Sequence, residues 1–451
     1  MRELRELRTV AEISVDPDSV RIHEQGWQSW SPSTGYRVGE LPHRWVEPHH
    51  RIVCYRAESD PAAGVYCGEG LLAVDPGEGG PIAVIAASSP TAVVPTILAS
   101  FVDDRVVVSA DGDVVVRIDD GPGGVQGAFA RWADSVVREL GLAAPRVAPT
   151  TWCSWYQYFT KVTEADVDLN LAKMDELDLP IDVVQVDDGY QEEIGDWLVP
   201  SGRFADVPGL FRRIADHGRR AGIWTAPFLV GGRSRTFAEH PEWLVRSEGG
   251  APVSAGHNWG QDLFALDTTH PGAVEYLRRV FSTFGSWGID FHKIDFIYAA
   301  ALPGRRYADV TPVEAYRTGV ELIRSEIGDS YLLGCGAPQL PSIGLFDSMR
   351  VSADIAPEFL PGNGDLSQPS QRGAVLNGVS RAFQHGRFWV NDPDCIVARP
   401  EVERREEWAE HVARFGGLRG SSDGLDQLDS WGLETTRRLL AGAVPRYFVK
   451  S

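Results

Sequence analysis

The chain has 451 residues, 43% of them hydrophobic and 24% charged, and its formal net charge is −20. This length exceeds what one simple core can organise, so two or three domains of an ordinary soluble globular protein are expected. The strong negative charge argues against nucleic acid and against an anionic membrane as partners.

The cysteines and the N-terminus point to a reducing compartment. There are five cysteines with wide spacing and no CxxC pair: Cys54, Cys67, Cys153, Cys335 and Cys395. An odd number at such spacing argues against a disulfide framework and against a structural zinc site. Residues 1–8 are charged and have no apolar stretch of signal-peptide length, and no segment reaches about 18 continuous apolar residues. We therefore expect a cytoplasmic protein without a membrane span.

Residues 1–125 are predicted to form an antiparallel β-sandwich domain. Short alternating segments, for example Arg105–Ser109 and Asp113–Ile118, are separated by turn-forming clusters of Asp, Gly and Pro. No long stretch has helical periodicity, and this pattern is typical of a sandwich.

A predicted helix and linker over residues 126–150 lead into a second region, 151–451, where short apolar segments alternate with helical ones. The eight strand candidates are Thr151–Trp155, Asp182–Asp188, Gly222–Phe228, Asp290–Phe296, Tyr331–Gly336, Ser348–Asp354, Phe388–Asp394 and Leu418–Ser422. Eight strand–helix repeats over about 300 residues predict a (β/α)₈ TIM barrel with a final helix. An open doubly wound sheet is the alternative, but no Gly-rich phosphate-binding sequence follows the early strands.

Polar side chains lie at the ends of most predicted strands. In a barrel these ends converge on one face, where barrel enzymes keep their active sites. Asp187 and Asp188 end the second strand, while Arg350 and Asp354 lie on the sixth. Asp and Asn also follow strands because they form turns, and that alone can account for Asp188.

Lys293 and Asp295 are the most informative pair because they lie inside the apolar run 288–298. Side chains alternate along a strand, so both point to the same face. Two opposite buried charges are costly unless they are paired or used, which leaves a structural ion pair and a catalytic site as the two interpretations. His292, an odd number of positions away, is expected to point away from Asp295.

Carboxylates, tryptophans and a lysine, without a cluster of metal-ligating histidines, indicate carbohydrate chemistry. Aromatic faces stack on sugar rings, and paired carboxylates cleave glycosidic bonds. We therefore expect a small-molecule sugar substrate, no metal and no cofactor.

Nine segments, taken in order, resemble retaining α-galactosidases (melibiases) of glycoside hydrolase family 36, in clan D. They are Gly26-Trp-Gln-Ser-Trp-Ser, Cys153-Ser-Trp-Tyr, Val186-Asp-Asp-Gly-Tyr, Gly195-Asp-Trp, Gly222-Ile-Trp-Thr-Ala-Pro-Phe, Lys293-Ile-Asp-Phe, Gly334-Cys-Gly, Met349-Arg-Val-Ser-Ala-Asp and Phe388-Trp-Val-Asn-Asp-Pro-Asp-Cys. Any one segment is weak, whereas the ordered set is highly specific.

The resemblance implies a role for each matching residue. Asp295 falls at the catalytic nucleophile and Asp354 at the general acid/base. Asp187 and Asp188 fall at the pair that holds the sugar O4 and O6 hydroxyls. The positions around O2, O3 and the nucleophile are filled by Lys293, Cys335 and Arg350. The aromatic residues implied to line the sugar pocket are Trp155, Tyr156, Trp224, Trp259 and Trp30. Residue type alone leaves Cys335 open as a small buried hydrophobe, and Trp30 as sandwich core.

The implied reaction is hydrolysis of terminal α-D-galactosides with retention of configuration, which requires the two carboxyl groups about 5–5.5 Å apart. Lys293, on the same strand face, is expected to keep Asp295 ionised. Arg350 would oppose protonation of Asp354 if it lay beside that residue, so we expect Arg350 to point at substrate or at Asp295.

Some features depart from the family pattern or remain open. Only residues 426–451 follow the last predicted strand and its turn, so the family's C-terminal β domain is expected to be absent or nearly so. Galactosyl transfer of the raffinose-synthase type and α-N-acetylgalactosaminidase activity are alternatives that use the same catalytic pair. An inactive sugar-binding barrel is the remote alternative, and a homo-oligomer is compatible with the sequence.

Overall fold

The computed structural model describes residues 6–47, 51–56, 59 and 61–451. Of the charged N-terminal segment 1–8 that was used to predict localisation, residues 1–5 lie outside this part of the chain. Among the described residues, no helix is both long enough and apolar enough to cross a bilayer.

Two antiparallel sheets form the N-terminal part. Its elements are β1 (Arg8–Ser14), β2 (Arg21–Glu24), β3 (Thr34–Arg37), α1 (Arg51–Cys54), β4 (Tyr66–Glu69), β5 (Leu71–Asp75), β6 (Ile82–Ala87), β7 (Thr96–Val102), β8 (Arg105–Ala110), β9 (Val114–Asp119) and α2 (Gly124–Leu140). One sheet has the order β1–β8–β7–β4 and the other β3–β2–β5–β6–β9. Buried residues of both sheets, among them Ile22, Val74, Ile97 and Val108, form one shared cluster.

Helix α2 connects the five-stranded sheet to the rest of the molecule. The outer face of that sheet, including Val84, shares a second cluster with α2. Phe129 and Trp132 of α2 in turn contact Phe383 and Phe388, with ring centroids 5.1 and 5.9 Å apart. The second region therefore packs directly against the N-terminal part.

The second region alternates strands and helices. Its elements are β10 (Thr150–Cys153), α3 (Trp155–Tyr158), α4 (Glu164–Glu176), β11 (Val183–Val186), α5 (Val207–Asp216), β12 (Arg220–Thr225), β13 (Leu229–Gly231), α6 (Arg235–Glu239), β14 (Ser254–Asn258), β15 (Gln261–Ala265), α7 (Pro271–Ser286), β16 (Ile289–Ile294), α8 (Pro312–Ile327), β17 (Tyr331–Gly334), β18 (Ser348–Arg350), α9 (Gln371–Ser380), β19 (Val390–Asp392), α10 (Arg405–Phe415), β20 (Arg419–Ser421) and α11 (Ser430–Ala441). Short 3₁₀ turns occur at Phe159–Lys161, Pro241–Trp243, Ile297–Ala301, Leu340–Ser342, Ala382–Gln384 and Leu425–Gln427.

Eight of these strands form one parallel sheet in the order β19–β18–β17–β16–β12–β11–β10–β20. The two end strands nearly meet: the backbone N–H groups of Gly417 and Leu418 donate to the Asn391 carbonyl at 3.0 Å, and Ile396 bonds to the backbone of Gly420 and Ser422. The prediction of a TIM barrel is therefore confirmed, because each of the eight strand candidates overlaps one of these strands.

Helix starts follow from local chemistry. Thr163 and Thr311 form capping boxes that satisfy the first backbone N–H groups of α4 and α8. Proline occupies the first turn of α5, α7 and α8, where its missing N–H costs nothing.

The segment that follows the third barrel strand, β12, contains a small sheet of its own. Strands β13, β15 and β14 form a three-stranded antiparallel sheet between 229 and 265. Its strands are short and carry Gly, His and Asn, so the apolar alternation that reveals strands in a sequence is missing. This insertion overhangs the carboxyl end of the barrel.

Candidate active site

A cavity of about 310 Å³ opens at the carboxyl ends of the barrel strands. Nine of the twelve predicted site residues line it: Trp30, Trp155, Asp187, Asp188, Trp224, Trp259, Lys293, Asp295 and Asp354. Tyr156, Cys335 and Arg350 do not, and each is buried behind the cavity wall. The chain therefore brings most of its predicted polar and aromatic site residues into one pocket.

Asp295, which follows β16, is a buried carboxylate held by neutral donors. The Trp224 indole N–H donates to its Oδ2 at 3.1 Å, and the Phe296 backbone N–H donates to its Oδ1 at 2.7 Å. Burial raises the pKa of Asp295, while the nearby charge of Lys293 works against that rise and the charge of Asp354 adds to it. Asp295 is thus fixed in orientation and close enough to Asp354 to feel its charge.

Lys293 forms its ion pair with Asp187 and not with Asp295. Its Nζ lies 2.9 Å from Asp187 Oδ2, and both side chains are almost fully buried. Burial alone lowers the pKa of the Lys293 ammonium, but the Asp187 carboxylate more than offsets this and leaves that pKa well above its ordinary value. Gln185 Nε2 also donates to Asp187 Oδ2, at 2.6 Å. Lys293 therefore takes part in a buried ion pair, but with a carboxylate at the end of β11, which is separated from β16 by β12.

Asp188 is held from two sides at the same strand end. Gln191 Nε2 donates to Oδ1 at 2.5 Å, and the Trp259 indole N–H donates to Oδ2 at 2.7 Å. Burial raises the pKa of Asp188, and the Gln191 hydrogen bond opposes this rise only in part, so that the pKa is about 6. Trp259 sits at the tip of the β14–β15 hairpin, so the insertion delivers it to the pocket.

Asp354, which follows β18, also lines the cavity and is a more exposed carboxylate than Asp295, with 28% of its side chain accessible. The Trp155 indole N–H donates to Oδ2 at 3.2 Å, and Arg350 Nη1 donates to Oδ1 at 3.0 Å. The predicted strand 348–354 ends at Arg350, because the chain then leaves the sheet and carries Asp354 to the cavity.

Arg350 is oriented differently from the prediction. It points neither at Asp295 nor into the cavity: it bonds Asp354, Asp392 at 3.1 Å and Asp394 at 2.9 Å. The register of β18 and β19 places Arg350 directly opposite Asp392, which explains this orientation. Arg350 therefore holds Asp354 from behind and does not face the space a sugar would occupy.

Tyr156 and Cys335 are also placed behind the cavity. The Tyr156 hydroxyl bonds to the Asp394 carboxylate, next to Arg350. Burial raises the pKa of Asp394 to about 7, with Arg350 opposing the rise and Asp354 adding to it. Cys335 is fully buried, and its thiol hydrogen-bonds to Asp295. The resemblance had implied that Tyr156 lines the pocket, whereas in the structure it supports Asp394 from behind. Cys335 lies beside Asp295, the position implied for the nucleophile, but does not line the cavity.

Trp30 reaches the cavity from the N-terminal part. Its ring meets Phe296 edge-on with centroids 4.8 Å apart, and it is 7% exposed. His292 points away from the cavity, as expected, and packs between Phe281 and Phe284.

Sequence reasoning missed about half of the cavity lining. The missed residues are Val53, Cys54, His257, Asn258, Leu263, Phe296, Ala353, Ser367, Gln368 and Pro369. Most come from α1, the hairpin and the loop after β18, and all except Phe296 and Ala353 lie outside the nine segments that carry the resemblance. Phe296 and Ala353 could have been found, since each adjoins a predicted catalytic residue. In the described part of the chain, no group of three or more His, Cys, Asp or Glu side chains is arranged to hold a metal ion.

A comparison with models of protein families matches part of this chain to a family of glycoside hydrolases. A model described as the glycosyl hydrolases family 31 TIM-barrel domain matches residues 143–319, less than half of the chain. The matching model is thus that of family 31 and not of family 36. A curated relative, α-galactosidase AgaA from Geobacillus stearothermophilus, is 24% identical over 203 residues, which are 42% of this chain and 26% of that protein. The chain therefore aligns with only about a quarter of that relative's length.

Solved structures give a closer match. The α-galactosidase from Thermus thermophilus in complex with p-nitrophenyl α-D-galactopyranoside is 30% identical, with a TM-score of 0.80 over 97% of this chain and 90% of that one. Its stachyose complex gives 0.81 over 96% and 94%. The family 36 structure of AgaA from G. stearothermophilus, at 13% identity and a TM-score of 0.62 over 96% of this chain and 61% of that one, shows the shared fold alone. On its match to nearly the whole Thermus protein, this chain belongs to the α-galactosidase family of glycoside hydrolases.

Proposed function

We propose that this protein is a family 36 α-galactosidase, which hydrolyses terminal α-D-galactosyl residues with retention of configuration. The observation that carries the proposal is the arrangement of Asp295 and Asp354, two carboxylates that line one aromatic-lined cavity and lie close enough for the charge of Asp354 to raise the pKa of Asp295. Each is held by a tryptophan indole N–H, Trp224 for Asp295 and Trp155 for Asp354. A pair of oriented carboxylates is the equipment that glycoside hydrolysis requires.

Asp295 acts as the nucleophile. It attacks the anomeric carbon and forms a glycosyl–enzyme ester while the bond to the leaving oxygen breaks. Its two oxygens differ in partners, since Oδ1 accepts from a backbone N–H and Oδ2 from an indole. These donors and the Lys293 charge stabilise the ionised form against the cost of burial.

Asp354 acts as the general acid and then the base. It gives its proton to the leaving oxygen, and in the second step it takes a proton from the water that cleaves the ester. Its partial exposure allows proton exchange with solvent. Arg350 positions it from behind, and three carboxylates share this one cation.

The Lys293–Asp187 pair and Asp188 hold the galactosyl hydroxyl groups. They line the same wall of the cavity, and their fixed donors and acceptors discriminate one hydroxyl configuration from another. Trp30, Trp224 and Trp259 supply the aromatic surface for the sugar ring. The two N-terminal sheets, which share one buried cluster, are proposed to form the predicted β-sandwich that carries Trp30.

The relatives support the substrate. The Thermus protein is an α-galactosidase, and its two structures hold p-nitrophenyl α-D-galactopyranoside and stachyose. A sugar with a terminal α-galactosyl group is therefore the proposed substrate here.

Activity on aryl glycosides tests the proposal. Purified protein should hydrolyse p-nitrophenyl α-D-galactopyranoside, and the β-anomer and the α-N-acetylgalactosaminide should react at least about 100-fold more slowly, since a site built on hydroxyl contacts rejects analogues strongly. Asp295→Asn should abolish turnover. Asp290→Asn is the matched control: Asp290 lies on the same strand but pairs with Arg220 at the surface. Equal rates on both anomers, or an active Asp295→Asn variant, would overturn the proposal.

A further inference from the structure

Arg381 is a buried cation without a counter-ion among the described residues. It follows α9 directly, its side chain is fully inaccessible, and no described carboxylate lies within ion-pair distance. Burying an uncompensated guanidinium is costly, so such a residue persists only where its donors are well used.

The Arg381 donors converge on one loop of the N-terminal part, residues 28–33. Nη2 donates to the carbonyls of Gln28 at 2.9 Å and Ser31 at 3.0 Å, and to Ser33 Oγ at 2.9 Å. Nη1 donates to the Ser29 carbonyl at 2.5 Å. Four of its five hydrogen bonds therefore bind a loop more than 340 residues away in sequence.

The fifth bond fixes Arg381 to the barrel. Nη1 also donates to the Val351 carbonyl at 2.7 Å, one residue beyond β18. Asn377, on the last turns of α9, supports the same contact, because its Oδ1 accepts from the Ser33 backbone N–H at 2.7 Å. One helix end thus clamps the loop to the barrel.

Trp30 lies at the centre of this clamped loop. Its ring lines the cavity and packs against Phe296, the residue after Asp295. Close approach is possible because Gly336 has no side chain: a Cβ there would come within 3.0 Å of the Trp30 ring. The indole N–H of Trp30 is buried and has no hydrogen-bond partner among the described residues, so the ring is held in place by packing and by the loop that carries it.

We propose that Arg381 is a positioning residue: by clamping residues 28–33 it holds Trp30 in the sugar pocket and so sets substrate affinity from outside the cavity. This rests on the proposed function for its effect on sugar binding, whereas the clamp itself does not. A lysine at this position has one compact donor group and cannot bridge four carbonyls arranged around a planar fork.

A double-mutant cycle on sugar binding tests the proposal. Arg381→Lys and Trp30→Ala should each raise KM for p-nitrophenyl α-D-galactopyranoside about tenfold or more, and the double variant should be no more than about twofold worse than Trp30→Ala. Multiplied effects in the double variant would overturn the proposal, as would an unchanged KM in Arg381→Lys. If Arg381→Lys does not fold, Asn377→Ala should show the same coupling with a smaller effect.

Arg387→Lys is the matched control. Arg387 is also buried and also joins the N-terminal part to the barrel, through Asp134 of α2, but it does not touch the 28–33 loop. It should lose thermal stability with KM unchanged. A KM change equal to that of Arg381→Lys would reduce Arg381 to a general structural role and overturn the proposal.

Hydrogen–deuterium exchange separates the clamp from the enzymatic function. Backbone amides of Ser29 and Ser33, which bond to the Ala337 carbonyl and to Asn377, should exchange faster in Arg381→Lys but not in Arg387→Lys. Unchanged exchange would overturn the clamp whatever the activity. Wild-type protein inactive on α-galactosides, with faster exchange in Arg381→Lys, would instead contradict only the proposed function.

Discussion

Buried charges are compensated differently at two groups of strand ends around the cavity, those of β11 and β16 and those of β18 and β19. On the side of β11 and β16, Lys293 and Asp187 form a one-to-one pair that faces the pocket. On the side of β18 and β19, the single cation Arg350 serves Asp354, Asp392 and Asp394, and only Asp354 reaches the pocket. The first arrangement gives fixed hydrogen-bonding groups for recognition, and the second gives excess negative charge that retains a proton, as the raised pKa of Asp394 indicates.

The largest expected effect concerns the proton-handling side. Asp354→Ala removes the proposed general acid, and we expect kcat/KM on raffinose to fall about 10²- to 10⁴-fold. The loss on p-nitrophenyl α-D-galactopyranoside should be clearly smaller, because p-nitrophenolate leaves without much protonation. Initial rates with both substrates measure this difference. Equal losses on the two substrates would mean that Asp354 does not deliver the proton.

Breaking the Lys293–Asp187 pair should cost stability as well as sugar binding. Lys293→Met leaves Asp187 buried without its partner, so the free energy of unfolding should fall by about 3–5 kcal/mol in urea titrations. Asp168→Asn, which breaks a half-exposed pair with Arg213, is the control and should cost at most about 1 kcal/mol. Similar losses in the two variants would show that the buried pair has no special role.

Replacing Trp259 tests whether this residue contributes to sugar binding at the cost of backbone strain. Trp259 and Gly260 form a two-residue turn between Asn258 and Gln261, and Trp259 has a φ of 52° where Asn or Gly is favoured. Trp259→Asn should change the free energy of unfolding by less than about 1 kcal/mol, because relief of strain offsets lost packing. KM should nevertheless rise about tenfold, through loss of one hydrogen bond and ring contact. A large stability loss with unchanged KM would contradict this role.

The smallest effect is a difference in pH dependence between the two sides. The pKa of Asp188 is raised to about 6, so its carboxylate takes up a proton below that pH. The protonated group no longer accepts hydrogen bonds from sugar hydroxyls as a carboxylate does. KM should therefore rise as pH falls through 6. Asp188→Asn should remove this limb. Because the folded state holds this proton and the unfolded state does not, its contribution to stability is lost as pH rises from about 4 to 6.

Asp394 should instead affect the pH dependence of kcat, at a higher pH than Asp188 affects KM. Its pKa is raised to about 7, so it is neutral below and charged above that pH. Asp394→Asn should therefore leave kcat nearly unchanged at pH 5.5 and change it most above pH 7. A KM limb near 6 that persists in Asp188→Asn would contradict the assignment of the two pKa values to the two sides.

The fold was predictable because barrel strands are short apolar runs that end in polar residues. Asp295 and Asp354 were predictable because charges near strand ends converge in a barrel, and a resemblance gave each a role. The partner of Lys293 was not, since Asp187 lies 106 residues away, at the end of a strand that does not pair with β16. Arg350 could have been placed from its register opposite Asp392, but register is fixed only once neighbouring strands are known.

Loop-borne site residues escaped prediction for a different reason. His257, Asn258 and Leu263 belong to the β14–β15 hairpin, and Val53 and Cys54 arrive from the N-terminal part of the chain. Neither leaves a periodic signal along the chain, so their positions depend on tertiary packing alone.

The anomer of galactose that is released first tests the central claim most directly. Proton NMR during hydrolysis of p-nitrophenyl α-D-galactopyranoside distinguishes α- from β-galactose before the two interconvert. Nucleophilic attack by Asp295 followed by water activated by Asp354 predicts α-galactose as the first product. Initial release of β-galactose would mean that water attacks directly, and would contradict Asp295 as the nucleophile.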